Sequence, residues 1–274
     1  MSNYDTYMRY LVGMEPKEPP TPPAPVDKYT PFFVQAPSNS TAYFYIVKNN
    51  SNAPTLSIET STDGTNWSTL GETSTTSLNF LVNKGERRYI RCRTNAWGNY
   101  VSYTDVCNTI HSDEPYTVGG NIMSLLYGSD FTGEETAFPV SREYIFYGLF
   151  APLQGSYQTP NNQLTDASQL LLPVKNVTRY SYARMFYSNP ILTSSPVIMA
   201  ETIGERGCMT MFYNCSSLNQ VICMATDVTE NYATLNWVNG VAASGTFYKN
   251  PNMSDWPTGT SGIPDGWTVV DYQG

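Results

Sequence analysis

The sequence predicts a mainly β protein, in which a small β-sandwich is followed by a solenoid of stacked repeats. Three observations predict this class. Short segments of alternating or apolar residues recur about every ten residues between positions 28 and 112. A Met-Phe-Tyr motif at 185–187 returns at 211–213, an offset of 26 residues. Charged residues make up only 14% of the chain, while Asn, Ser, Thr, Gly and Tyr abound, which favours strands and turns.

Residues 1–14 carry a short helical pattern and are predicted to form an anchor segment. Tyr4, Tyr7, Met8 and Leu11 fall at i, i+3, i+4 and i+7, so a helix would place them on one face. A lone helix this short is marginal in water and needs a surface to dock on. That surface is either the rest of the chain or the groove of a partner, and the next segment favours a partner.

Residues 15–27 are predicted to be a Pro-rich linker. The stretch EPKEPPTPPAP holds six Pro in eleven positions, a composition typical of extended polyproline II. At about 3.1 Å per residue it would span roughly 34 Å. A semi-rigid spacer suits an anchor that binds another molecule, because a helix packed on its own domain would require the spacer to fold back.

Residues 28–114 are predicted to form a small Ig-like β-sandwich. Its strands are expected in TAYFYIVKN, APTLSIETS, TSLNFLVN and RRYIRCRTN, which have the residue types of short strands. Asp63-Gly64 marks a tight hairpin between two of them. We expect Trp67 to face the core from the returning strand.

Residues 115–248 are predicted to be a repeat solenoid. Leu192 and Leu218 follow the two Met-Phe-Tyr motifs at the same offset of 26. Leu149-Phe150 supplies an upstream copy, and Trp237 stands where Phe212 stood. No single copy can bury its apolar residues alone, so neighbouring copies must stack.

Each repeat is expected to contain a strand and a helical segment. The segments 178–184 and 202–210, before the motifs, are predicted to be helix or 3₁₀ turn. The apolar run after each Leu is predicted to be a strand of a parallel ladder. Residues 249–274, dense in Gly, Pro and Trp, are predicted to be a C-terminal hairpin cap that includes Trp256 and Trp267.

Composition argues against several function classes. The net charge of −8 disfavours nucleic acid as a partner, and the Arg residues at 87–93 alternate with strand residues. Five Cys and one His, without paired spacing, predict no metal, no cofactor and no disulfide framework. Cys208, Cys215 and Cys223 are expected to be buried packing residues. A chain with one His offers no catalytic triad beyond His111, so we expect no enzyme.

Two units in the repeats resemble a known family. MFYSNPIL and MFYNCSSLNQV resemble the BspA-type leucine-rich repeat, whose core reads MF-x-x-C-x-x-L. GGNIMSLLYGSDF and SGIPDGWTVVDY are similar to segments of leucine-rich-repeat surface proteins of gut Bacteroidetes and their tailed phages. The resemblance covers residues from about 30 to 272 and implies a leucine-rich-repeat-like α/β solenoid. The chain departs from the pattern at Asn189 and Tyr182, where Cys is common in the family.

The resemblance leaves two non-enzymatic functions open. The first is a phage virion protein: a head fibre, a capsid decoration or a tail-associated appendage. The second is a bacterial cell-surface adhesin, and an enzyme such as a depolymerase is disfavoured. The N-terminal sequence has no basic segment followed by an apolar run, and no stretch reads as a transmembrane helix, so we expect a virion-surface location.

The expected partners follow from this choice. Residues 1–27 are predicted to bind a capsid or other virion protein through Tyr4, Tyr7, Met8 and Leu11. The repeats are predicted to face outward, toward a host surface polysaccharide or protein. Neither nucleic acid nor a membrane is expected as a partner. Symmetry is common in such proteins, so we expect a homo-oligomer, either a dimer or a trimer.

Overall fold

A computed structural model describes residues 24–48, 54–73, 77–93, 97, 108–139, 142–152 and 163–272. It is mainly β, with 35% strand and 3% helix, and includes a β-solenoid of about four turns. The mainly β class and the solenoid are therefore confirmed. The predicted anchor at 1–14 and most of the linker lie outside the described residues.

The described residues contain fifteen strands and one short α-helix. The first seven strands, before the solenoid, are β1 (Phe33–Gln35), β2 (Ala42–Lys48), β3 (Ser57–Ser61), β4 (Ser68–Glu72), β5 (Leu78–Val82), β6 (Arg87–Cys92) and β7 (Asn108–Ser112). The solenoid strands are β8 (Tyr116–Asn121), β9 (Leu164–Leu172), β10 (Asn176–Val177), β11 (Ser194–Ile198), β12 (Thr202–Ile203), β13 (Gln220–Cys223), β14 (Thr246–Lys249) and β15 (Thr268–Asp271). Helix α1 (Ser124–Tyr127) and a 3₁₀ turn at 128–130 follow β8.

The first seven strands form two antiparallel layers that share a hydrophobic core. One layer has the order β5-β2-β7, and the other contains β1, β6, β3 and β4. Phe44 from the first layer and Ile58 and Ile90 from the second are completely buried in one cluster. The four predicted strand segments match β2, β3, β5 and β6, because alternation places every second side chain in this core.

The hairpin predicted at Asp63-Gly64 is present, but the prediction for Trp67 is wrong. Strands β3 and β4 pair antiparallel across this turn, and Gly64 has a φ of 77°. Trp67 lies just before β4 and is half-buried, outside the core cluster. The Arg91 guanidinium covers its ring at 4.4 Å from the centroid. The indole therefore packs under a cation on the outer face of the sheet rather than in the core.

The solenoid is built on a ladder of six parallel strands. Strands β8, β9, β11, β13, β14 and β15 pair in that order, each parallel to the next. In a typical coil the chain leaves β11, bends into the short strand β12, runs through a series of turns, and returns to β13. Strands β10 and β12 form a second, two-stranded parallel sheet. The predicted parallel ladder is confirmed.

Strand β1 joins the two parts of the chain. It pairs antiparallel with β6 on one side and antiparallel with β8 on the other. The result is one ten-stranded sheet in the order β15-β14-β13-β11-β9-β8-β1-β6-β3-β4. The predicted boundary at residue 114 therefore crosses a continuous sheet and a continuous core.

The segments expected to be helical form consecutive turns instead. Between residues 163 and 272 there is no α-helix or 3₁₀ helix. The N–H of Ala183 donates to Tyr180 O within the coil, at 3.2 Å, while the N–H of Tyr182 donates to Gly207 O of the next coil, at 2.9 Å. Alternate N–H groups thus donate to the next coil, along the solenoid axis. In an α-helix every N–H would instead donate to the carbonyl four residues earlier in the same segment.

The predicted C-terminal hairpin cap is also wrong. Strand β15 pairs with β14 in parallel register, from Thr246↔Thr268 to Lys249↔Asp271, whereas a hairpin needs antiparallel strands. Residues between these strands form a last coil. Trp256 and Trp267 are each 7% exposed and close the end of the core.

An aromatic spine runs through the centre of the molecule. Each ring packs on the next at a centroid distance of 5.2 to 6.2 Å. The spine consists, in order, of Phe32, Phe150, Phe186, Phe212, Trp237 and Trp256. The first comes from the segment before β1, and each of the others comes from a successive coil. The predicted equivalence of Phe150, Phe186, Phe212 and Trp237 is confirmed.

Asn189 occupies the position that corresponds to Cys215 in the next coil. Its side-chain amide donates to Phe150 O and to Phe186 O, both at 2.9 Å. The Cys215 thiol lies 3.0 Å from the same Phe186 O. Asn189 and Cys215 thus have a similar role, because each side chain donates to the same buried carbonyl of Phe186.

Truncation of a spine ring tests the stacked core. We expect Phe212→Ala to lower the free energy of unfolding by about 3–5 kcal/mol, as a large deletion in a closed core does. The matched control is Tyr213→Ala, which removes the half-buried neighbouring ring on the outer face and costs about 1 kcal/mol or less. Urea denaturation of both variants measures the difference. Equal losses would contradict the spine.

The single histidine gives the fold a defined pH dependence. His111 on β7 is 4% exposed, and burial lowers its pKa to about 4 from 6.5. As pH falls from 6.5 to 4, the unfolded chain takes up a proton that the folded chain does not. Stability should therefore be full above pH 6.5 and fall by about 3 kcal/mol on the way to pH 4.

The variant His111→Gln isolates this contribution. Carboxylates titrate alike in both proteins, so the difference between their unfolding free energies at pH 7, 6, 5 and 4 reports His111 alone. We expect a shallower slope for the variant. Parallel pH profiles would contradict the burial of a neutral imidazole.

Candidate binding surface on the repeats

The turn face of the solenoid is defined by residues 142–151, 178–188, 204–214 and 230–240. The chain here forms successive four-residue turns, and each turn shares its last two residues with the next. In every second turn the third residue has a positive φ, the left-handed conformation that a type II turn requires. These residues therefore recur every four positions along the chain. They are Tyr144 and Gly148; Tyr180, Arg184 and Ser188; Arg206, Thr210 and Asn214; and Tyr232, Asn236 and Gly240.

The left-handed residues of successive coils lie above one another and form an aromatic and cationic column. The rings of Tyr144 and Tyr180 stack at 4.5 Å between centroids, with 10° between planes. The Arg206 guanidinium follows, 5.6 Å from the Tyr180 centroid and 4.9 Å from that of Tyr232. Tyr232 ends the column with 55% of its surface exposed. The Arg206 guanidinium thus lies between two aromatic rings, which is an attractive arrangement.

Ion pairs run beside this column. Arg179 donates to Glu143 and to Glu205, each at 3.1 Å, and Glu205 also pairs with Arg206. The pKa of Arg179 is raised, first by its hydrogen bond to Glu143. Because these charges alternate in sign from coil to coil, they support the stacking register rather than create a charged patch. Their exposure limits the stabilisation that each pair provides.

A second column lies at the end of the turns. The rings of Tyr187 and Tyr213 stack at 5.3 Å with 6° between planes, and the Arg184 guanidinium lies 4.3 Å from the Tyr187 centroid. All three side chains are half-buried. Planar groups with apolar faces and polar edges are suited to contact with another macromolecule, since they bury area at low cost in side-chain entropy.

The site residues predicted from the sequence are not among those that the structure describes. Tyr4, Tyr7, Met8 and Leu11 all lie in the range 1–23. The turn face was missed in its details because its left-handed positions hold Tyr, Arg and Thr, which do not favour that conformation. The Gly and Asn residues at 148, 214, 236 and 240 carried the recoverable signal.

The buried cysteines are packing residues. Cys208, Cys215 and Cys223 are completely buried, and burial raises the pKa of Cys215 and Cys223 to about 12. At neutral pH these thiols stay protonated. Within the described ranges, no three His, Cys, Asp or Glu side chains converge as a metal site would require. No helix in that part of the chain is long and apolar enough to cross a membrane.

Comparison with known proteins yields no relative. No family model matches the chain. No curated protein and no solved structure is detectably similar to it. The resemblance to BspA-type repeats therefore stays a prediction.

A left-handed threonine tests how the turn face is stabilised. Thr210 has a φ of 51°, which costs a β-branched residue about 1–2 kcal/mol relative to glycine. We expect Thr210→Gly to leave the free energy of unfolding unchanged or raised. Thr226→Gly is the control, because each hydroxyl donates to one backbone carbonyl but Thr226 lacks a positive φ.

The control should lose about 0.5–1 kcal/mol, the usual entropic cost of glycine. Denaturant unfolding of the wild type and both variants provides the comparison. A loss in Thr210→Gly as large as that in Thr226→Gly would show that position 210 is unstrained.

Proposed function

We propose that the protein is a non-catalytic structural or adhesive component of a bacteriophage virion: a head fibre, a capsid decoration or a tail-associated appendage. Its N-terminal segment attaches to a capsid or other virion protein, and the repeats face outward from the virion surface. The attachment residues are Tyr4, Tyr7, Met8 and Leu11. The protein acts as a homo-oligomer, a dimer or a trimer.

The observation that carries this proposal is the continuity of the folded body, which the described residues from 26 to 272 form. One sheet of ten strands and one aromatic spine connect the first strand pair to the last coil. A continuous body of this kind is suited to present a surface at a distance from its attachment point. The amphipathic and Pro-rich pattern precedes this body in sequence, where an attachment segment would be needed.

The turn face supports an adhesive role for the repeats. The first of its two aromatic columns ends in the exposed ring of Tyr232. The ligand of this face is a host surface polysaccharide or protein. We further propose that the first module is Ig-like and that the repeats belong to the BspA-type leucine-rich family, on the strength of the motifs at 185–192 and 211–221.

The end of the linker shows where attachment and folding separate. Val26 packs on an apolar cluster on the outer face of the ladder, and Asp27 accepts hydrogen bonds from Tyr29 N and Thr30 Oγ1. Residues 26 and 27 therefore belong to the folded body. A truncation that tests attachment alone must end before them.

Deletion of residues 1–23 is the direct test. We expect the melting temperature to change by less than about 2 °C, because the described contacts of the body remain. Incorporation of the protein into phage particles, measured by quantitative immunoblot of purified particles, should be lost. The double variant Tyr7→Ala/Leu11→Ala should reduce incorporation in the same direction, since it removes two hot-spot side chains.

The control is Tyr43→Ala/Leu81→Ala, which removes two exposed apolar side chains on paired strands of the first module. It should be incorporated normally. Wild-type occupancy of the truncated protein would refute attachment through residues 1–23. Recovery of the native protein on bacterial cells, and never on particles, would favour the alternative of a cell-surface adhesin.

A further inference from the structure

A cleft with aromatic walls opens beside the junction of β1 and β6, where the first module meets the segment that follows β8. Its volume is about 350 Å³. The walls are the rings of Tyr29, Trp67, Tyr89 and Phe131, and Ser124 and Gly128 contribute to the lining. This volume is within the range of small-molecule sites.

Tyr29 is an exposed ring that the chain holds in place. It is 57% exposed, yet its hydroxyl donates to Glu134 at 2.7 Å. Gly133, with a φ of 87°, lies under the ring, and a Cβ there would come within 2.8 Å of Tyr29 Cδ1. Both contacts fix the ring before any ligand arrives, which reduces the entropic cost of binding.

The opposite wall is held as firmly. The Arg91 guanidinium lies against Trp67 and donates from Nε to Glu59 at 2.7 Å. The hairpin turn beside Trp67 is fixed by Asp63, whose carboxylate accepts from the N–H groups of Thr65 and Asn66 at 2.8 and 2.7 Å. These hydrogen bonds hold the pKa of Asp63 well below its usual range. The turn therefore stays closed at neutral pH.

The charges around the cleft are compensated. Arg91 is neutralised by Glu59, and Lys28 pairs with Glu134 at 2.6 Å. Asp63 is the remaining charged lining residue, and it is anionic. A phosphate or carboxylate would therefore meet no uncompensated cation among the described lining residues. Protein recognition would need a larger and flatter surface than this cleft provides.

We propose that this cleft binds a neutral saccharide unit. A sugar ring has an apolar C–H face that packs on aromatic rings, and hydroxyls around its edge that need polar partners. The exposed part of the Tyr29 ring and the part of the Trp67 ring that lines the cleft supply the apolar surfaces. The Arg91 guanidinium and the Thr65 hydroxyl supply polar groups at the edge. This inference goes beyond the proposed function, because it places a ligand away from the turn face and does not need residues 1–23.

The experiment applies the full-length protein to an array of oligosaccharides. The probes are neutral hexose and N-acetylhexosamine oligomers, with uronic-acid and phosphorylated oligomers for comparison. We expect binding to neutral oligomers, weakened at least about tenfold by Trp67→Ala and by Tyr29→Ala. Thr65→Arg, at an exposed turn position, should block the cleft without removing a core side chain.

An exposed tyrosine outside both the cleft and the turn face provides the matched control. Tyr43→Ala removes a ring that is 51% exposed, and this variant should bind like the wild type. Thermal unfolding confirms that every variant is folded.

The inference is overturned if no neutral oligomer binds, or if only acidic oligomers do. It is also overturned if binding survives all three cleft variants or disappears in Tyr43→Ala. None of these outcomes affects the particle test, because deletion of residues 1–23 keeps the cleft intact.

Discussion

The aromatic spine is the interaction on which the rest of the structure depends. No coil of the solenoid encloses a core of its own, because a single coil is only one strand thick along the axis. Each coil instead places one large ring between the rings of its two neighbours, as Phe186 lies between Phe150 and Phe212. The free energy of unfolding is then approximately the sum of the contributions of the single coils and of the contacts between neighbouring coils. Phe32 extends the same stack to the first module, so both parts share one hydrophobic core.

The backbone follows from this stacking. For rings to lie directly above one another, each coil must repeat the path of the last, and its N–H groups must find partners along the axis. The turns achieve this by directing alternate N–H groups to the next coil. Such a path needs left-handed residues at fixed places, and side chains as unsuited as those of Tyr180 and Thr210 adopt that conformation there. The hydrogen bonds between coils offset the strain.

The features that could be predicted from the sequence are those that repeat at a fixed spacing along the chain. The offset of 26 between Phe186 and Phe212 predicted equivalent buried rings, and the apolar runs predicted a parallel ladder; both are confirmed. The path between these points was not predictable from the same pattern. Turns and helices bury a Met-Phe pair equally well, and the hydrogen bonds that decide between them come from residues 25 positions away, as for Tyr182 and Gly207.

The remaining misreadings have a related cause. Trp67 was assigned to the core because a large ring is usually buried, but Arg91 and Glu59, which hold it at the surface, lie on strands paired through tertiary contacts. Trp267 and the turn before it suggested a hairpin, since a tight turn after a strand usually leads into an antiparallel neighbour. Only the ladder itself shows that the last strand runs parallel. For the cleft, the sequence gives no periodic signal, because its walls come from four separate segments.

The continuous ladder also has a genetic consequence. Because each coil contacts only the coil before and the coil after it, a tandem duplication of one coil's coding sequence adds a turn without disturbing either end. The insertion finds a ring above and a ring below, and a paired strand on both sides. Strand β1 and the final coil are then fixed ends, and the number of coils between them can change during evolution. Variation in length should therefore accumulate between β9 and β14, while the junction at β1 stays constant.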